Sequence, residues 1–73
     1  MSADIQKLVR MANQIATFFG TQPGHAQAEE VAGHLKAFWE PRMLSALYAH
    51  VDAGGEGCAP LVLQAVERLR QPA

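Results

Sequence analysis

Three histidines and one cysteine, His25, His34, His50 and Cys58, are the side chains best suited to hold a metal ion or attack a substrate. Two ligands on one helix converge on an ion only at a spacing of three or four residues. No two of these four stand so, and there is no Cys-x-x-Cys pair. A thiol nucleophile needs a neighbouring base or positive charge. Nothing around Cys58 in the sequence supplies one, so it reads as a free cysteine in a glycine-rich loop. Glu29 and Glu30 are adjacent and diverge on a helix, which makes them solvated charges near a helix start rather than cooperating carboxylates. The glycine stretches "GTQPG" and "DAGGEGC" lack the strand-before, helix-after setting and the Lys-Ser/Thr or G-x-G-x-x-G pattern of a phosphate cradle. Read this way, the residues do not make a freestanding enzyme, and no catalytic, cofactor-binding or metal site is expected in the chain.

The elements that would position these groups are all helical. Ile5, Leu8, Val9, Ala12, Ile15, Ala16 and Phe19 recur at three- and four-residue steps, with polar residues between them, so the first segment is an amphipathic helix. Ser2 or Asp4 caps its start and "GTQPG" ends it. A second helix runs from about His25 or Ala26 to Trp39, with Ala28, Val31, Ala32, Leu35, Phe38 and Trp39 on its apolar face. Pro41 removes a backbone donor and forces Glu40 toward extended geometry, so the chain breaks at Trp39-Glu40. Proline is favoured at the first helical position, and "EPRMLSALYAHV" reads as a third helix opened by Pro41. Asp52 to Ala59 holds three of the six glycines and is expected to be a loop, a mobile one. Pro60 restarts order, and Leu61, Val62, Ala65, Val66 and Leu69 mark a short fourth helix with Arg68 and Arg70 near its negative end. The expected fold is all-α, three helices and a short fourth, in one domain.

Bulk properties narrow the setting. A chain of 73 residues buries only about 60% of the surface its unfolded form exposes, leaving little room for a deep cleft. Six Lys plus Arg against seven Asp plus Glu, with no basic block, argue against nucleic acid. Asp4, Lys7 and Arg10 interrupt the N-terminal segment, so it does not read as a signal peptide, and no apolar run is long enough to span a membrane. A single cysteine fits a reducing compartment, and the cytoplasm is the expected location.

Some side chains exceed what a small helical core needs. Met11, Phe18 and Leu63 lie at the edge of, or off, their helices' apolar stripes, and together they suggest a docking surface. Phe38 and Trp39 are expected to cover the helix corner from inside, with Trp39 in the core. Arg42 opposes the dipole at the start of the third helix and calls for compensation by Glu40 or by a carboxylate on a partner. Arg10, Met11, Phe18, Trp39, Arg42 and Leu63 are thus the candidate partner-contact residues.

Three blocks in order, "KLVRMANQIATFF" (7–19), "FWEPRM" (38–43) and "GGEGCAPLVLQA" (54–65), resemble the delta subunit of bacterial NAD-dependent, molybdenum-containing formate dehydrogenases. Cys58 departs from the family habit of an aliphatic residue in that turn. The resemblance implies a small accessory subunit of a soluble cytoplasmic complex that oxidises formate to carbon dioxide. In such a complex the large alpha subunit holds the molybdenum bis(guanine dinucleotide) cofactor and most iron–sulfur clusters. Further clusters, FMN and the NAD site lie on other subunits, and the delta chain carries none of these groups. The expected role is docking on the large molybdenum-containing subunit to stabilise it or to assist cofactor insertion, as a permanent subunit or a transient factor. The alternative is a maturation factor that touches the guanine-dinucleotide cofactor through Arg10, Asn13, Gln14 or Arg42.

Overall fold

The computed structural model describes residues 4–21 and 26–71. Ser2 and His25 lie outside them. Within them the chain forms four helices, α1 (Ile5–Gly20), α2 (Gln27–Phe38), α3 (Pro41–Asp52) and α4 (Pro60–Arg70), with no strand. The fourth, at 11 residues, is only one shorter than α2 and α3 at 12.

The helix ends follow from local chemistry. Asp4 caps α1, its carboxylate accepting a hydrogen bond from the Gln6 amide at 3.0 Å. Both prolines stand at the start of their helices, and the residues before them, Glu40 (ψ 153°) and Ala59 (ψ 150°), are extended as pre-proline sterics require. Trp39 is already extended (ψ 139°), so the corner between α2 and α3 is two residues long. The end of α3 is a Schellman turn: the Gly54 amide donates to the Val51 carbonyl and the Gly55 amide to the His50 carbonyl. Gly55 has φ +66°, the left-handed backbone that favours glycine, and a Cβ there would stand 2.8 Å from Leu63 Cδ2, so the tip of that side chain would have to move.

One core joins all four helices. Leu8, Ala12 and Ala16 of α1 meet Val31, Ala32 and Leu35 of α2, Trp39 at the corner, Leu47 of α3, and Val62, Ala65 and Val66 of α4. The alanines let the helices approach closely. Leu35, Leu47, Val31, Val62 and Val66 are fully buried, each a contribution of roughly 1.5–3 kcal/mol before entropy is counted. Helix α4 packs chiefly on α2, and α1 touches the other three. Ion pairs reinforce the outside: Arg68 reaches Glu29 of α2 at 3.1 Å, and Arg70 grips both carboxylate oxygens of Asp52 at 2.6 and 3.2 Å while lying 5.3 Å over the Tyr48 ring. No helix among the described residues is long and apolar enough to cross a membrane.

Candidate functional site

His34, His50 and Cys58 do not converge on one point but stand in different surroundings. His34 lies in an aromatic row, its ring 6.1 Å from Phe19 and 4.7 Å from Phe38. The Nε2 of His50 is 2.7 Å from the Glu56 carbonyl, across the glycine loop. Cys58 is half-buried against the core, and burial pushes its thiol above its ordinary pKa, away from the nucleophilic thiolate. Asp52 is held below the usual carboxylate range, chiefly by its hydrogen bonds from Arg70. Among the described residues no three of His, Cys, Asp and Glu are placed to hold a metal ion.

The glycine loop, expected to be mobile, is fastened to α1 through its second half. Asn13 of α1 donates through Nδ2 to the Gly57 carbonyl and accepts through Oδ1 from the Ala59 amide, each at 2.9 Å. Its side chain therefore ties the first helix to the start of the fourth. The sequence marked Asn13 only as a possible cofactor contact, because a partner 44 or 46 positions away leaves no local signature.

The most distinctive surface is a groove between α1 and α2, lined by Met11, Gln14, Ile15, Phe18, Phe19 and His34, with a volume of about 350 Å³. Phe18 stacks edge-on against Phe19, 5.1 Å between centroids, and is 60% exposed. Phe38, expected inside the corner, is instead 73% exposed: α2 ends there, and the ring turns outward to meet His34. Phe18, Phe19, His34 and Phe38 thus form a continuous aromatic row whose two ends, Phe18 and Phe38, stand in solvent while Phe19 and His34 are half-buried. The spacing of His34 and Phe38, four residues apart on one helix face, was the available sequence signal.

The six candidate contact residues do not share one face. Met11 and Phe18 wall the groove, Met11 half-buried against the core. Arg10 is exposed on α1 next to that wall. Leu63, 36% exposed, lines a separate groove with Val51, Val66 and Arg70, so Met11, Phe18 and Leu63 do not form the single patch they suggested together. Trp39, at 7% exposure, belongs to the core and offers no free ring to a partner. Arg42 pairs with Glu40 at 3.8 Å with both side chains well exposed, a weak contact that nevertheless answers the unfavourable helix dipole.

Fold and surface together define a small four-helix protein whose outer face carries an apolar aromatic groove. The profile of the NADH-dependent formate dehydrogenase delta subunit family, FdsD, matches residues 7–66, and the chain belongs to that family. Neither a curated protein nor a solved structure gives a significant match.

Proposed function

We propose that this chain is a non-catalytic accessory subunit of a cytoplasmic NADH-dependent formate dehydrogenase complex. It docks on the large molybdenum-containing subunit and stabilises it or assists insertion of its cofactor. Molybdenum cofactor, iron–sulfur clusters, FMN and NAD belong to partner subunits. The observation that carries this reading is the exposed aromatic groove on a chain of a subunit family: Phe18 and Phe38 leave large apolar areas in water, a cost that a partner surface removes. The engagement of the titratable groups supports a non-catalytic role, since His34 lies edge-on to Phe19 and tilted against Phe38, His50 holds a loop carbonyl and burial pushes the Cys58 thiol up, away from the thiolate.

The same contacts weigh against the cofactor-carrier reading. Of the four candidate anchors only Gln14 lines the groove; Asn13 is committed to the glycine loop, and Arg42 stands outside the groove in a weak pair with Glu40. Convergent polar anchors are what a dinucleotide would require. Docking acts by linkage: a partner that binds only the folded, cofactor-ready large subunit raises the population of that state by mass action and leaves the chemical barrier alone. Complex expressed without this chain should therefore lose activity in proportion to lost molybdenum occupancy or lost subunits, with activity per bound molybdenum unchanged. Fully loaded, fully assembled complex that turned over far more slowly without it would overturn the proposal.

A further inference from the structure

The aromatic groove has a charged end. On α1, Lys7, Met11, Gln14 and Phe18 follow one another at three- and four-residue steps, so Lys7 extends the groove wall by one turn, and Arg10 stands one turn before Gln14. Both cations are exposed. Arg42, Arg68 and Arg70 each pair with a carboxylate of the chain, whereas Lys7 and Arg10 pair with none among the described residues. Lys36, likewise without a carboxylate, lies elsewhere, in a groove with Gly33 and Tyr48. On the opposite wall Glu30 stands one turn before His34 on α2.

We infer that this groove receives one amphipathic helix of a partner subunit, its apolar side chains on Phe18, Phe19, His34 and Phe38 and its acidic residues on Lys7 and Arg10. The inference rests on the accessory-subunit reading and names its docking face. Helix-in-groove recognition uses an apolar stripe at three- and four-residue steps, and two helix walls with an open seam between them present the matching shape. At 60% and 73% exposure, Phe18 and Phe38 together offer on the order of 250 Å² of aromatic surface. That is enough for the dry centre of an interface of ordinary size, about 800 Å² per partner. Charge selects the occupant. A second copy seated across a two-fold axis would bring two Lys7 and two Arg10 against two Glu30, four cations facing two carboxylates in a desolvated seam. An acidic helix neutralises the same pair without surplus. A guanine nucleotide could stack on the rings, but Gln14 and His34 are the polar groups lining the groove.

The test uses complex purified without this chain, immobilised, with the full chain added in solution at low and high salt. Parent, Phe38→Ser and the double variant Lys7→Glu/Arg10→Glu are compared, and circular dichroism melts confirm that all three fold. Phe38 is largely in water and the two cations are on the surface, so the melts should agree closely. Each variant should bind about tenfold or more weakly. Parent affinity should fall with salt, and that of the charge-reversed variant should not. Binding of both variants at parent strength would remove the groove as the docking face while leaving the accessory-subunit reading intact. Failure of the parent itself to bind would take down both. A dimer of the isolated chain in sedimentation that Phe38→Ser dissolves would make a second copy the occupant, and shifts of the Phe18 and Phe38 ring signals on adding guanosine monophosphate would make it a nucleotide; either result overturns the helix assignment.

Discussion

Replacing Asn13 by alanine should destabilise the fold by more than a helical surface position can account for. The side chain makes two hydrogen bonds to the distant loop, to the Gly57 carbonyl and from the Ala59 amide. Each is worth about 1 kcal/mol net, so the pair contributes about 2. Alanine is the better helix former and returns about 0.5 kcal/mol within α1, leaving a net loss of about 1.5. A domain of this length holds roughly 4–11 kcal/mol in total, and the expected fall in Tm is about 6–12 °C. Urea and thermal unfolding followed by circular dichroism measure the loss, and amide exchange at Ala59 should accelerate in the variant because its acceptor is gone. Asn13→Asp separates the two bonds: the carboxylate still accepts from the Ala59 amide but sets an oxygen against the Gly57 carbonyl. It should be no more stable than the alanine variant at neutral pH and should recover on acidification, when the protonated acid can donate. A gain of stability in Asn13→Ala, with Ala59 protection unchanged, would show that propensity alone governs the site and that the clasp carries nothing.

Two further outcomes follow from the core and the surface. Trp39→Ala should cost roughly 3–5 kcal/mol, a large share of the total, because the ring is 7% exposed and closes the corner between α2 and α3; a melt within a few degrees of the parent, with partner binding lost, would make Trp39 a contact residue after all. The Asp52–Arg70 pair lowers the carboxyl pKa in the folded chain, so its contribution is complete above the unfolded value near 4 and disappears as pH falls through the lower folded value. The Tm difference between the parent and Asp52→Asn should hold from about pH 7 to 5 and shrink below about pH 4, and a difference that persists undiminished at about pH 2 would show that the pair is not its source.

The helices themselves were legible because their causes are local. Apolar residues at helical steps, Asp4 as a cap, and Pro41 and Pro60 as openers act within one or two turns, and the four elements sit where those residues place them. The three sequence blocks likewise pointed to the family, a property of residue order that needs no coordinates. Tertiary structure alone decided the surface. Phe38 shares the apolar stripe of α2, yet stands in water because the helix ends before a neighbour covers it. Leu63 joins Val51 and Val66 instead of Met11 and Phe18 because α4 lies against α2 with that edge turned away from the groove. Asn13 finds its partners only after the glycine loop has folded back on α1, a closure across more than forty residues that no periodicity encodes. Helix formation is a near-neighbour property of the chain, whereas which face is covered, and which is left for a partner, depends on where the other helices come to rest.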